Sequence, residues 1–202
     1  MDSFLKPETS ISYDAGLYRR IGQNLDMRIA VNYINTSNYY VTNTTSPYYS
    51  GSYAYQIEGV KFYGTELEFN WKATEKLIFF GNYSYQNNAY SLGEEFPYPM
   101  LLNLPPKNKG KLSIRYTLPF KTRLSSDVII YGERLSEGGY TLDGYATADL
   151  SLERNFAGRM MASFYINNLT GTEYQQVYGY PSPGVTWGVR LKISTARNIF
   201  SQ

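Results

Sequence analysis

The stretch from Leu25 to Asn35 reads LDMRIAVNYIN, and it alternates between apolar and polar residues. Up to Tyr33 every odd-numbered residue is a large apolar or aromatic one, whereas Asp26 and Arg28 lie at even positions. Successive side chains of a β-strand point to opposite sides of the sheet, so a period of two predicts a strand with one apolar and one polar face.

The same period occurs nine times along the chain and predicts nine strands. They are Ser10–Arg19, Leu25–Asn35, Tyr63–Trp71, Leu77–Tyr85, Leu112–Leu118, Arg123–Tyr131, Ala146–Glu153, Arg159–Asn167 and Val185–Ile193. The apolar faces contain no charged residue, although 18% of the chain is charged, and the opposite faces carry charge in all predicted strands except the fourth. A charge-free face over so many strands requires an apolar surrounding, which lipid provides.

The connectors between these strands alternate strictly in length. The short ones run from Arg20 to Asn24, Ala73 to Lys76, Pro119 to Lys121 and Asn155 to Gly158, and the long ones from about Thr36 to Gln56, Gln86 to Gly110, Gly132 to Gly144 and Asn168 to Gly184. Outer-membrane barrels have short periplasmic turns and long extracellular loops. The pattern therefore predicts an all-β fold, an antiparallel transmembrane β-barrel wall of about nine strands, with all short turns on one rim.

The composition excludes several classes of function. With no cysteine and no histidine, the chain has no disulfide and no Ser-His or Cys-His nucleophile. A net charge of +2 gives no support for a nucleic-acid partner. Glu66 and Glu68 lie two apart on one face, and we interpret them as part of a polar wall rather than as paired catalytic acids. We expect no enzyme activity, no catalytic residue, no cofactor and no resident metal.

Several short motifs follow one another in order along the chain. They are Leu5-Lys6-Pro7-Glu8, Tyr13-Asp14-Ala15-Gly16, Gly64-Thr65-Glu66-Leu67-Glu68, Gly81-Asn82-Tyr83-Ser84-Tyr85, Pro105-Pro106-Lys107-Asn108-Lys109, Asn167-Asn168-Leu169 with Tyr174, and Tyr180-Pro181-Ser182-Pro183-Gly184. In this order they resemble the C-terminal half of the barrel of TonB-dependent outer-membrane receptors. Two departures are Asp14, where the family often has glutamate, and the absence of a histidine from the Pro-Pro-Lys segment.

The resemblance implies that residues 1–202 are the C-terminal segment of a receptor β-barrel in the cell outer membrane, without the plug domain and the earlier strands. An odd number of strands fits this expectation, because nine antiparallel strands cannot close without one parallel pair. The implied function is TonB-energised import of a scarce ligand, with a ferric siderophore as the first candidate and cobalamin or a glycan as alternatives. The implied partners are outer-membrane lipid, the plug domain, the remaining barrel strands and, only through the plug, TonB.

Three sets of candidate site residues follow. Tyrosine is abundant, with 22 residues, and its ring and hydroxyl suit ligand contacts in the long loops. The loop candidates are Tyr48, Tyr49, Tyr53, Tyr55, Tyr90, Tyr98, Tyr178 and Tyr180. The candidates for the lumen and the plug-facing surface are Arg28, Glu66, Glu68, Arg115, Asp149 and Arg190. Gly188, Leu191 and Ile193 match the barrel-assembly signal of a last strand, although Thr195 to Gln202 continue beyond it.

Two other classes of protein stay open. One is an autonomous small outer-membrane pore or adhesion barrel, which would require the amino-terminal residues to add a tenth strand. The other is a membrane-barrel hydrolase, which the missing histidine disfavours.

Overall fold

The computed structural model describes residues 6–43, 53–91, 105–136, 140–156 and 160–194. The described residues form thirteen β-strands. They are β1 (Thr9–Ile21), β2 (Leu25–Asn43), β3 (Tyr53–Lys72), β4 (Leu77–Ser91), β5 (Asn108–Leu118), β6 (Thr122–Tyr131), β7 (Arg134–Leu135), β8 (Thr141–Leu142), β9 (Tyr145–Phe156), β10 (Met160–Asn167), β11 (Gln175–Val177), β12 (Tyr180–Pro181) and β13 (Thr186–Ile193). The described residues contain no helix that is long and apolar enough to cross a membrane.

Nine of these strands form a single antiparallel sheet in the order β1-β2-β3-β4-β5-β6-β9-β10-β13. Each strand pairs with the next one along the chain, apart from two short hairpins, β7–β8 and β11–β12, that lie within long loops. Within the described residues β1 pairs only with β2 and β13 only with β10, so the sheet is an open wall rather than a closed barrel. The predicted all-β partial barrel of nine strands is confirmed.

The short turns lie side by side on one rim. The Lys72 N–H donates to the Asn24 carbonyl oxygen at 2.8 Å, and the Thr117 N–H donates to the Lys76 carbonyl oxygen at 2.8 Å. Each bond joins one turn region to the strand beside it. The predicted separation of short turns and long loops onto opposite rims is confirmed for the described residues.

The strands extend further towards the long loops than the alternating pattern predicts. β2 has 19 residues and β3 has 20, so most of the predicted loop from Thr36 to Gln56 is strand. Crossing a bilayer takes only about 9–11 tilted residues. Beyond that depth, Tyr39, Tyr40 and Val41 follow one another in β2, so the alternation is lost while the backbone ladder continues.

The Lys-Pro-Glu motif holds the amino-terminal end of β1 against its neighbours. The Lys6 N–H donates to Gln56 Oε1 at 2.9 Å, and Asn38 Nδ2 donates to the Pro7 carbonyl oxygen at 3.1 Å. Proline has no N–H to contribute to a ladder. Side chains of β2 and β3 therefore replace backbone pairing where the chain enters the sheet.

Burial in this sheet is the reverse of burial in a soluble domain. Leu17, Leu67 and Trp187 are 65%, 44% and 72% exposed, whereas Ser113 and Ser163 are 4% and 6% exposed. The register keeps the exposed apolar residues on one face, because Leu17 pairs with Ile29 and Ile29 with Leu67. A contiguous exposed apolar surface of this extent marks contact with a membrane or another protein.

Candidate ligand cavity and polar wall

The polar face of the sheet carries ion pairs between neighbouring strands. Arg28 lies 3.6 Å from Glu68, across the β2–β3 pair, and Lys111 lies 3.3 Å from Asp127, across the β5–β6 pair. All four side chains are at least one third exposed, so each pair contributes at most about 1 kcal/mol. These pairs make the face hydrophilic rather than holding the sheet together.

A cavity of about 440 Å³ opens on this face near the short turns. Side chains from four adjacent strands line it, among them Asp26, Lys72, Phe80 and Arg115. Because one cavity is enclosed by four neighbouring strands, the polar face is the concave one. Arg115 forms no ion pair with another described residue.

The other predicted wall residues lie on the same face but do not converge on one point. Glu66 stands opposite Ala30 and Ser84 in the register. The Arg190 guanidinium lies 5.7 Å from the centre of the Tyr165 ring. These residues form a dispersed polar surface rather than a catalytic cluster.

The predicted assembly signal lies in the edge strand β13. Gly188 pairs with Tyr165, and a Cβ at position 188 would overlap the Tyr165 ring. Leu191 and Ile193 are 58% and 68% exposed on the apolar face. The glycine therefore has a packing role as well, because the tyrosine ring lies directly over it.

At the opposite rim, one asparagine shapes the start of the last long loop. Asn168 is 4% exposed and has a φ of 50°, in the left-handed region that asparagine tolerates better than most residues. Its Nδ2 donates to the Thr172 carbonyl oxygen at 2.9 Å, and its Oδ1 accepts from the Thr172 N–H at 3.0 Å. The Asn168 N–H donates to Asp149 Oδ1 at 2.8 Å, which gives that predicted wall residue a defined partner.

The same loop then makes a tight hairpin that presents Tyr178. Strands β11 and β12 are joined by Tyr178 and Gly179, and the φ of Gly179 is 82°. Glycine takes this conformation without steric cost. The Gly179 N–H donates to Gln175 Oε1 at 2.8 Å, which closes the hairpin.

Two long loops are joined into one unit at this rim. Arg134 Nη2, in the loop between β6 and β9, donates to the carbonyl oxygens of Gln176 at 2.9 Å and Gln175 at 3.3 Å. The Tyr140 and Tyr178 rings stack with centroids 3.8 Å apart and an interplanar angle of 2°. The two hydrogen bonds from Arg134 Nη2 and a ring stack therefore connect loops that are far apart in sequence.

A column of aromatic rings continues this contact down to the sheet. Tyr145, the first residue of β9, stacks on Tyr174 with centroids 4.1 Å apart and on Tyr131 with centroids 5.1 Å apart. Lys109 lies over the Tyr131 ring, 5.2 Å from its centre. The column links the loop unit to strands β5, β6 and β9.

Between the two loops lies a cavity of about 630 Å³. Its lining includes the rings of Tyr145, Tyr174 and Tyr178 and the carboxylates of Asp143 and Glu173. This volume lies within the range of about 300–1,000 Å³ that is typical of small-molecule sites. Within the described ranges, no group of three or more His, Cys, Asp or Glu residues could hold a metal ion.

The predicted loop tyrosines have different outcomes. Tyr178 lines the cavity, whereas Tyr180 is 73% exposed and is not part of the described lining. Tyr48, Tyr49 and Tyr98 lie outside the described residues. The prediction of a loop position is wrong for Tyr53 and Tyr55, which belong to β3, and for Tyr90, which belongs to β4, because the ladder continues beyond the alternating segments; their side chains are outside the described part of the structure.

Sequence reasoning missed all acidic and tyrosine residues of the described lining except Tyr178, namely Asp143, Tyr145, Glu173 and Tyr174. Tyr174 was visible as the last member of the Asn-Asn-Leu motif. The other three carry no periodic signal, because they stand where strands begin or where loops approach the sheet.

A known protein family has the same sequence pattern as this chain. The model of the family described as "TonB dependent receptor-like, beta-barrel" matches residues 2–169. The chain belongs to this family. Its members are outer-membrane β-barrel receptors and transporters, which have a plug domain and act together with TonB.

Solved structures show the same fold. The chain superposes on the copper transporter OprC with a TM-score of 0.75 at 14% identity, covering 95% of this chain and 33% of that one. For the ferric-catecholate import receptor Fiu from K12 E. coli, the TM-score is 0.72 at 17% identity, with 94% of this chain and 28% of the other covered. For the ferric yersiniabactin uptake receptor FyuA from Yersinia pestis, the values are 0.66, 18%, 92% and 30%.

The chain thus spans about a third of the length of the solved structures that it matches. No curated protein sequence matches it.

Proposed function

We propose that this chain is the C-terminal part of a TonB-energised receptor in the outer membrane that imports a scarce ligand, with a ferric siderophore as the first candidate. The observation that carries the proposal is the tyrosine-lined cavity at the long-loop rim of a wall that belongs to the receptor family. Tyrosine offers both a stacking surface and a hydroxyl, and it can bind an organic ligand without a resident metal. Any metal ion would arrive as cargo within the ligand.

The two faces of the sheet define the proposed partners. The apolar face, which includes Leu17 and Leu67, would contact the lipid hydrocarbon. The concave polar face would contact the plug domain through Arg28, Glu66, Glu68, Arg115, Asp149 and Arg190. The remaining barrel strands would pair with the free edges of β1 and β13, and TonB would act only through the plug.

The proposed ligand contacts lie at the long-loop rim. Tyr178 is the best supported, because it lines the cavity. The other tyrosine candidates of the sequence, Tyr48, Tyr49, Tyr53, Tyr55, Tyr90, Tyr98 and Tyr180, are proposed as a second ring of contacts. The chain would bind and release its ligand unchanged, without enzyme activity.

The proposal is tested by uptake in a host that lacks its own siderophore receptors. The gene that encodes this chain, with its complete upstream coding region, is expressed, and accumulation of ferric complexes labelled with ⁵⁵Fe is measured with and without TonB. We expect accumulation only when TonB is present. Uptake that is independent of TonB would contradict the proposal. So would a 202-residue chain that refolds in detergent as a monodisperse monomer with steady single-channel current, because it would be an autonomous pore.

A further inference from the structure

The cavity at the long-loop rim is lined by negative charge. Its described lining contains Asp143 and Glu173 and no lysine or arginine. Neither carboxylate forms an ion pair or hydrogen bond with another described residue. A ligand entering this cavity therefore meets two acidic residues that form no ion pair with another described residue.

The aromatic lining favours the same sign of ligand charge. The face of an aromatic ring has a negative electrostatic potential and attracts cations. Tyr140 covers one face of Tyr178 and Tyr145 covers one face of Tyr174, so the ring planes are fixed in place. The Tyr178 side chain nevertheless remains 47% exposed, which leaves surface for a ligand.

The nearby cations are not part of the described lining. Arg134 donates from Nη2 to the Gln175 and Gln176 carbonyl oxygens, while its Nη1 is buried without a hydrogen-bond partner among the described residues. Lys109 lies over Tyr131, at the sheet end of the aromatic column. The described lining of the cavity therefore carries no positive charge.

We infer that this cavity binds a cationic, amine-bearing part of the imported ligand, between the carboxylates of Asp143 and Glu173 and the rings of Tyr174 and Tyr178. The inference rests on the proposed function, since it names the chemistry that the same site selects. An ammonium group satisfies both features of the lining, by Coulomb attraction to the carboxylates and by contact with the rings. A carboxylate or phenolate group would be repelled by both.

The inference is tested with three small probes of matched shape. Choline is the cation, 3,3-dimethylbutan-1-ol is its neutral carbon isostere and 3,3-dimethylbutanoate is an anion of similar size. Binding to the complete receptor, expressed with its upstream coding region and purified in detergent, is followed by saturation-transfer NMR. We expect choline to bind about tenfold more tightly than the alcohol, and the anion to bind more weakly still. Equal binding of choline and the alcohol, or tighter binding of the anion, would overturn the inference.

Matched variants locate the effect. Asp143→Asn and Glu173→Gln should each weaken choline binding about fivefold without changing binding of the alcohol, because each removes one charge and little volume. Glu133→Gln is the control, since Glu133 is an exposed carboxylate of the same loop that is not part of the described lining. If Glu133→Gln weakens choline binding as much as the two lining variants do, the attraction comes from the general surface charge and the inference is overturned.

A second variant and a metal control cover the remaining outcomes. Tyr178→Leu should weaken binding of choline more than binding of the alcohol, so the test does not depend on the carboxylate variants alone. Displacement of choline by micromolar Ca²⁺ would identify a divalent-cation site and overturn the inference. TonB-dependent uptake is measured separately on the complete receptor, so the charge preference can fail while the proposed function stands.

Discussion

The wall of this protein and its long-loop rim are held together in different ways. In the wall, nine strands pair along their backbones. Side chains such as those of Arg28 and Glu68, which are partly exposed, interact at a distance of 3.6 Å. At the loop rim, a few specific side chains hold the structure, namely the buried amide of Asn168, the Nη2 hydrogen bonds of Arg134 and the Tyr140–Tyr178 stack. The effect of a substitution on the stability of the wall should therefore depend on which face the residue occupies. At the loop rim it should depend on which single residue is replaced.

The largest effect should come from placing a charge on the lipid face of the wall. Leu150 lies on the apolar face and its neighbour Ser151 on the polar face, opposite Ser125 and Tyr165. Leu150→Arg should destabilise the protein in bilayers by about 2–4 kcal/mol, the cost of arginine at the membrane midplane. Ser151→Arg should cost much less, and a urea titration of protein refolded into vesicles measures both. Equal losses for the two variants would reject the assignment of faces.

A smaller and more local effect should come from Asn168→Ala. The change removes the side-chain amide that forms hydrogen bonds with the Thr172 backbone, and it leaves alanine at a position with positive φ. The free energy of opening this turn should fall by about 1–3 kcal/mol. Hydrogen exchange should accelerate at the Leu169 and Gly171 amides but not in the wall. Asn24→Ala is the matched control at the turn rim, because there only the backbone carbonyl accepts a hydrogen bond. Faster exchange throughout β9 and β10 would show that the two regions are not independent.

The ring stack at the loop rim should show a measurable coupling. A double-mutant cycle with Tyr140→Leu and Tyr178→Leu should give a coupling free energy of about 0.5–1.5 kcal/mol between the two rings, measured on the local opening of the loop unit. The comparison pair in the wall is Tyr13 and Tyr33, whose centroids are 6.4 Å apart and tilted by 31°. Their coupling should be smaller, because the rings do not stack. A larger coupling in the wall pair would remove the distinction between the two regions.

The smallest effect should come from the ion pair on the polar face of the wall. Arg28→Met and Glu68→Gln, alone and together, should reveal a coupling below about 1 kcal/mol that decreases further in high salt. Chemical denaturation in low and high salt measures this coupling. A coupling of several kcal/mol would mean that side chains, and not the backbone ladder, stabilise the wall.

The wall was predictable from sequence because its surroundings impose a period on it. The alternation from Leu25 to Tyr33 reports one apolar face and one polar face. The same reasoning failed at the upper part of β2, up to Asn43, because Tyr39, Tyr40 and Val41 follow one another there and no period of two remains.

The loop rim was predictable only in part. Tyrosine abundance pointed to Tyr178, but the stacking of Tyr174 on Tyr145 depends on how the last loop folds back after Asn168. That contact joins residues 29 positions apart in sequence without any repeating pattern. Asp143 and Glu173 are ordinary loop acids until the two loops meet around one cavity.

The open sheet also restricts which partner can complete it, for a reason of symmetry. In an antiparallel sheet of nine strands the two edge strands, β1 and β13, run in the same direction. Two identical copies inserted with the same membrane orientation present edges that all run one way, so every pairing between copies is parallel. Antiparallel closure requires a segment whose own edge strands both run the opposite way, and rotating a second copy about the membrane normal never produces one. The wall is therefore protected from completing itself with its own copies, and only a non-identical run of strands fits both edges.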